Sequence, residues 1–154
     1  MVTLMLRKML PKVKKTAFEL SLSLVLMPGM ATSAYAYRDV QLEGIDGTLH
    51  RLTDYIGKGK WVALNIWGTG CPPCLEEVPE LVNFHDENKD GKAMVVSIAI
   101  DFPSYGYADK EEVKAFADDY LIDFPVLLGD SSITEDIGLG YLKGLPTTYL
   151  YNPQ

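Results

Sequence analysis

The sequence is short of the residues that build metal centres. Its 154 residues include two cysteines and two histidines, and His50 and His85 stand far from the cysteines and from each other. A structural zinc site needs four such ligands, so this set argues against zinc. A c-type haem attachment needs histidine directly after the second cysteine, and position 75 is Leu. The sequence therefore predicts no bound metal, no haem and no other cofactor.

The chain also lacks a long uninterrupted apolar run. Residues 20–27 are apolar but interrupted by serines, and they fall well short of the roughly 20 residues of a membrane helix. A basic stretch precedes them, and Ala-Tyr-Ala at 34–36 fits a signal cleavage site. We therefore predict that residues 1–36 are a cleaved signal peptide. The protein would then be periplasmic or otherwise exported and soluble, without stable membrane insertion; an N-terminal membrane anchor is the alternative.

Positive charge is scarce outside that segment. The predicted signal takes five of the 14 basic residues and one of the 21 acidic ones. Residues 37–154 keep nine basic and 20 acidic residues, a formal net charge of −11. A surface of this sign repels nucleic acid and anionic lipid, so we predict neither as a partner. The length of this part suits one small domain.

The two cysteines stand in a Cys71-x-x-Cys74 spacing. An apolar run at 61–67, typical of a buried strand, precedes them, and a segment that favours a helix over about 72–88 follows. A C-x-x-C at a strand-to-helix turn is typical of dithiol redox chemistry. Unpaired N–H groups and the macrodipole at the helix start favour a thiolate on Cys71, which we expect to be partly exposed, with Cys74 shielded. A purely structural disulfide is the alternative, but so small a loop constrains the unfolded chain little.

Apolar runs and turn residues predict the remaining elements. Residues 93–100 form a continuous apolar run that suits a central parallel strand. Asp109 and Glu112 predict a capping box for a helix that ends near Tyr120. The shorter predictions are a strand in 40–45, a turn at 46–47, a helical turn at 53–57, a strand at 124–128, a helix capped by Ser132 with Glu135, and a strand at 147–151. Alternating strands and helices predict an α/β domain with helices on both faces of the sheet.

Together these residues resemble the thioredoxin fold, and more narrowly the TlpA/ResA-type thiol-disulfide oxidoreductases of bacteria. The resemblance runs through nearly all of residues 37–154, which it identifies as one thioredoxin-like domain. Its landmarks are Leu64-Asn65-Ile66-Trp67-Gly68-Thr69, Cys71-Pro72-Pro73-Cys74, Glu77 with Pro79, Phe124-Pro125-Val126-Leu127-Leu128, and Gly144-Leu145-Pro146-Thr147-Thr148. It implies a central mixed sheet with helices on both faces.

The resemblance also implies roles for single residues. Cys71, Cys74 and Glu77 are the implied catalytic residues, with Glu77 modulating the proton chemistry of the thiols. The Leu145–Pro146 peptide bond is implied to be cis, so that Leu145 offers its backbone to an extended substrate peptide by strand addition. The implied substrate-binding residues are Trp67, Pro72, Pro73, Leu145 and Pro146.

The implied function is that of an exported thiol-disulfide oxidoreductase that reduces disulfides in protein substrates, as in cytochrome c maturation. Its partners would be exported substrate proteins and an upstream thiol electron donor. A thiol peroxidase is one alternative, because peroxiredoxins share this fold, although the W-x-x-x-C-x-x-C pattern argues against it. A non-catalytic thioredoxin-like binding module is another.

Three features depart from the pattern of these relatives. Asn65 stands where thioredoxins carry a buried Asp, so a proton relay must rest on Glu77 or on water. Gly70 stands where many relatives have Trp, which removes an apolar shield beside the first cysteine. The pattern usually continues beyond Tyr151 with another strand and a C-terminal helix, so we expect a domain that is incomplete at this edge.

Overall fold

The computed structural model describes residues 39–154, and the predicted signal at 1–36 lies outside them. The elements are, in chain order, β1 (Gln41–Glu43), β2 (Leu49–Arg51), a 3-10 helix (Leu52–Asp54), β3 (Trp61–Trp67), α1 (Pro72–Asn88), β4 (Ala93–Ala99), α2 (Lys110–Asp119), β5 (Val126–Leu128), α3 (Ile133–Asp136) and β6 (Thr147–Tyr151). None of the helices in residues 39–154 has the length and apolar character that a membrane span requires.

The central sheet has four strands in the order β5-β4-β3-β6. β4 pairs in parallel with β3 on one side and with β5 on the other. β6 runs antiparallel to β3, with Asn65 opposite Thr148. The sheet is therefore mixed, with β4 in the parallel centre, as the apolar run at 93–100 predicted. In the described part of the chain, β6 forms one edge of the sheet.

A separate two-stranded hairpin joins β1 to β2, with Gln41 opposite Arg51. β2 was not predicted, because Leu49-His50-Arg51 has one apolar residue and no alternation long enough to detect. The turn of the hairpin is held by the Asp46 carboxylate, which accepts hydrogen bonds from the backbone and the hydroxyl of Thr48, both at 2.9 Å.

Two apolar cores lie on opposite faces of the sheet. Leu64 and Ile66 of β3 pack into one core with Ile133 of α3. Trp67 of the same strand packs into the other core with Val113 of α2. The side chains of a strand alternate between faces, and here both faces are covered. This explains why the two central strands are mostly apolar, each with one buried polar residue, Asn65 in β3 and Ser97 in β4.

The helix caps differ from the predictions in detail. The Asp109 carboxylate caps α2 by accepting a hydrogen bond from the backbone N–H of Glu112 at 2.9 Å. The Glu112 carboxylate does not complete the predicted capping box, because it accepts a hydrogen bond from the Thr69 hydroxyl instead. At α3 the predicted cap is wrong: the Ser132 side chain makes no capping hydrogen bond.

His85 connects α1 to β4 inside the second core. Its side chain is buried, and its Nδ1 accepts a hydrogen bond from the backbone N–H of Val95 at 3.0 Å. Desolvation lowers the pKa of His85 below its usual 6.5, and the negative charge of Asp123 opposes part of that shift. The ring must stay neutral at Nδ1 to accept this hydrogen bond, so packing and protonation state are linked.

Candidate active site

Cys71 and Cys74 form a disulfide at the N-terminus of α1, with their Cα atoms 5.3 Å apart. Cys71 is the N-cap residue of the helix. Its carbonyl oxygen accepts hydrogen bonds from the backbone N–H of Cys74 at 3.0 Å and of Leu75 at 3.2 Å. The chain has no further cysteine, so this pair carries all of its thiol chemistry.

The two prolines between the cysteines weaken the electrostatic stabilisation that the helix start can give to a Cys71 thiolate. Pro72 and Pro73 occupy the first two helical positions and have no N–H to direct at the Cys71 sulfur. The next N–H, that of Cys74, already donates to the Cys71 carbonyl. Stabilisation of a Cys71 thiolate by free N–H groups is therefore weaker than the helix start alone predicts. The macrodipole of the 17-residue helix remains.

Both cysteines are buried. Cys71 is 1% exposed and Cys74 is 0% exposed. The expectation that Cys71 is partly exposed is therefore wrong for this oxidised conformation. The two side chains belong to the core cluster that contains Trp67, and the partly buried side chains of Phe102 and Leu145 pack against that cluster.

Asn65 binds the Glu77 carboxylate from the strand beneath α1. The Asn65 side chain is 1% exposed, and its Nδ2 donates to Glu77 Oε1 at 2.6 Å and to Thr148 Oγ1 at 3.0 Å. Three elements, β3, α1 and β6, thus meet at one amide. In the sequence, Asn65 marks the lack of a proton carrier at this position, and its positioning role was not predicted. The available signal was a polar residue inside an apolar run, which needs a partner when buried.

Of the other predicted substrate-binding residues, Trp67 is buried, whereas Pro72 and Pro73 are exposed. Trp67 is 1% exposed, and its ring packs on Phe116 with centroids 4.9 Å apart, so in this conformation it faces the core and not a substrate groove. Pro72 and Pro73 lie exposed beside the disulfide. Trp67 can contact a substrate only if its neighbours move.

The Leu145–Pro146 peptide bond is cis, as the resemblance implied. A Cβ placed on Gly68 would lie 3.6 Å from Leu145 Cδ1, which puts this side chain beside the turn that leads into α1. The structure therefore brings Leu145 to the cysteines. The hydrogen bond from Asn65 on β3 holds the Glu77 carboxylate in place.

A disulfide at the start of the helix that follows a central strand, with a cis-proline turn beside it, defines a thioredoxin-like protein. The chain belongs to the AhpC/TSA family, whose model matches residues 35–154. This confirms the thioredoxin-like fold that the motifs predicted.

Individual relatives agree with this assignment. The chain is 37% identical over 112 residues to the thioredoxin-like protein YneN of Bacillus subtilis, covering 73% of this chain and 61% of that protein. It is 33% identical over 113 residues to the thiol-disulfide oxidoreductase ResA of Geobacillus thermodenitrificans, covering 73% of this chain and 59% of that protein. The chain thus spans about three-fifths of the length of these curated relatives. The predicted ResA-type resemblance is confirmed.

Solved structures support the same fold. A DsbF homologue from Corynebacterium diphtheriae superimposes with a TM-score of 0.63 at 27% identity, covering 76% of this chain and 70% of that one. A secreted thiol-disulfide isomerase from Corynebacterium glutamicum superimposes with a TM-score of 0.63 at 24% identity, covering 77% and 70%. The second likeness is one of fold alone.

Proposed function

We propose that this domain is an exported thiol-disulfide oxidoreductase that reduces disulfides in protein substrates. The observation that carries the proposal is the Cys71–Cys74 disulfide at the N-terminus of α1, beside the Leu145–Pro146 turn. Relatives that are named thiol-disulfide oxidoreductases, such as ResA at 33% identity, support the same chemistry.

The reaction begins from the reduced dithiol. The Cys71 thiolate attacks one sulfur of the substrate disulfide, a mixed disulfide forms, and the other substrate sulfur leaves as a thiolate that takes a proton. The Cys74 thiolate then attacks Cys71 Sγ, which releases the second substrate thiol and regenerates the Cys71–Cys74 disulfide. Two electrons pass to the substrate, and an upstream dithiol donor must return them to the protein.

Further groups near the disulfide serve this reaction in the proposal. Glu77, held by Asn65 at 2.6 Å, modulates proton transfer to and from the thiols. The Leu145 backbone, ahead of the cis Pro146, pairs with an extended substrate segment by strand addition. Pro72 and Pro73, which are exposed beside the disulfide, contact the substrate surface.

Trapping of mixed disulfides tests the assignment of the two cysteines. Cys74→Ser leaves Cys71 able to attack but removes the resolving thiol, so mixed disulfides with exported proteins should accumulate and disappear under reductant. Cys71→Ser is the matched control and should trap far less. Equal trapping by both variants would contradict a mechanism with one nucleophile.

Turnover assays separate the proposal from its alternatives. The wild type should accelerate insulin reduction by dithiothreitol, whereas a non-catalytic binding module should not. A thiol peroxidase should instead be oxidised by hydrogen peroxide much faster than a free thiol is. Rapid peroxide oxidation without insulin reduction would favour the peroxidase.

Export and a role in cytochrome c maturation are the finer parts of the proposal. The basic segment, the short apolar run and Ala-Tyr-Ala at 34–36 support export. N-terminal sequencing of the protein recovered from the producing cells should start at Tyr37. Apocytochrome c among the proteins trapped by Cys74→Ser would support the maturation role, and its absence from a cell that makes c-type cytochromes would argue against it.

A further inference from the structure

The buried disulfide raises the question of how any partner reaches it. Thiol-disulfide exchange needs the attacking sulfur to approach one sulfur of the disulfide, so its rate depends on access. Cys71, the more accessible of the two by its position at the helix start, is only 1% exposed. In this conformation Cys71 therefore presents almost no surface to a protein thiol or a protein disulfide. Some part of the structure must move first.

Phe102 is the residue that lies over the entry to α1. A Cβ placed on Gly70, the residue before Cys71, would come within 2.9 Å of the Phe102 carbonyl oxygen and 3.8 Å of its ring. A Cβ on Gly68 would come within 3.1 Å of the Phe102 Cβ. The Phe102 side chain packs against the cluster that contains both cysteines.

Gly70 permits this close approach by its lack of a side chain. Its φ is not among the positive values found in the described residues, so no unusual backbone conformation demands glycine here. Any other residue at this position would push its Cβ against the Phe102 carbonyl, because real Cβ contacts under 3.0 Å essentially never occur. Gly70 and Phe102 therefore form one matched contact.

Phe102 sits in a loop whose base is fixed. We call residues 101–108 the cover loop. Asp101 N–H donates to the Gly106 carbonyl at 2.9 Å, and Ala108 N–H donates to the Gly129 carbonyl at 3.0 Å. Among the hydrogen bonds of the described residues, none involves Phe102 itself. The Phe102 side chain is thus held by packing on an anchored loop, and part of that packing is with the Tyr105 ring of the same loop, 5.8 Å away between centroids.

We propose that Phe102 is a specificity-determining residue of the oxidoreductase, a gate that selects partners of Cys71 by size. The inference rests on the proposed function, because only a thiol-exchange centre needs such selection. Small thiols pass with little displacement of the ring, whereas a larger partner must displace it from the apolar cluster. The gate limits the rate in both directions and leaves the equilibrium between dithiol and disulfide nearly unchanged.

The gate can be tested on the protein's own disulfide, without a substrate. A glutathione thiolate attacks Cys71 Sγ, and Cys74 leaves as a thiolate; a second glutathione then attacks the mixed disulfide, forms glutathione disulfide and frees Cys71. The extent of reduction at each time is measured by quenching the reaction, alkylating the free thiols and recording the mass of the protein. The same measurement is made with dithiothreitol, which is the smaller reductant. The equilibrium constant with glutathione is measured in parallel.

Phe102→Ala should raise the rate of reduction by glutathione by roughly tenfold and that by dithiothreitol by less, since the exchange rate follows access to the attacked sulfur. Gly70→Ala should act in the same direction, because its Cβ displaces the Phe102 carbonyl, and it provides a second test if Phe102→Ala folds poorly. Tyr107→Ala is the matched control: its side chain is 55% exposed on the same loop, and its rates should equal those of the wild type.

An unchanged glutathione rate in both Phe102→Ala and Gly70→Ala would overturn the gate. So would an equal acceleration in Tyr107→Ala, or a change in the equilibrium constant as large as the change in rate, since each would indicate general loosening of the structure. These outcomes are independent of substrate trapping. Failure of trapping by Cys74→Ser would remove the proposed reductase function and leave the rate measurements unaffected.

Discussion

Asn65→Asp is the substitution whose effect the structure defines best. It restores the acidic side chain that thioredoxins carry on this strand, but it places the new carboxylate against Glu77 in a site where the native side chain is 1% exposed. The native amide donates a hydrogen bond to Glu77, and an ionised carboxylate cannot. We therefore expect a destabilised protein whose penalty depends on pH.

The magnitude follows from comparing two ways to accommodate the new charge. Two ionised carboxylates at the present separation of 2.6 Å would repel each other by roughly 6 kcal/mol at an effective dielectric constant of about 20. Keeping the introduced carboxyl group protonated at pH 7 costs about 4 kcal/mol, because each pH unit above the usual aspartate pKa of about 3.9 adds about 1.4 kcal/mol. Protonation is the less costly arrangement, since the protonated acid can donate to Glu77 as the amide does.

The pH dependence has a definite sign. The pKa of the introduced carboxyl group is raised in the folded state, so above a pH of about 3.9 the unfolded chain loses a proton that the folded protein keeps. The free energy of unfolding of the variant, relative to wild type, should therefore fall by about 1.4 kcal/mol per pH unit between about pH 4 and 7. Urea unfolding of both oxidised proteins at four pH values measures this difference.

The double variant Asn65→Asp/Glu77→Gln is the control. The amide introduced on α1 can donate to the carboxylate introduced on β3, so most of the penalty and its pH slope should disappear. An Asn65→Asp protein as stable as wild type at pH 7, or a penalty that Glu77→Gln leaves unchanged, would refute the assigned contact between these two side chains.

Three other outcomes are expected. Glu77→Gln alone keeps an acceptor for Asn65, so the free energy of unfolding should stay within about 0.5 kcal/mol of wild type. The pH profile of thiol alkylation in the reduced protein should change, and an unchanged profile would leave Glu77 a structural residue. Pro72→Ala supplies one N–H at the helix start, so Cys71 in the reduced protein should be alkylated a few times faster at neutral pH, and a slower rate would contradict the electrostatic argument. His85 has a lowered pKa in the folded state, so the stability it contributes is complete above pH 6.5 and is lost as the pH falls below that value. In urea unfolding at several pH values, the free energy of unfolding of His85→Asn should therefore depend less on pH below 6.5 than that of the wild type. An equal dependence would mean that another group titrates.

Much of the fold follows from short-range patterns. The bounds of β3, α1 and β6 agree with the predicted ones. Short apolar runs rich in β-branched residues favour buried strands, and the prolines of the C-x-x-C motif suit the first turn of a helix. β2 was missed because three residues with one apolar side chain carry no period. Its pairing depends on β1, not on its own sequence.

The sequence by itself determined the chemistry: two cysteines at a redox spacing and a downstream Leu-Pro turn are sufficient to predict a thioredoxin-like dithiol centre. The tertiary structure decided which residues surround that centre. Glu77 is bound by Asn65 because α1 lies over β3, and the loop after β4 places Phe102 against Gly70, the residue before Cys71. Burial and hydrogen bonding at the site arise from contacts between residues that are distant in the chain, and no local pattern contains that information.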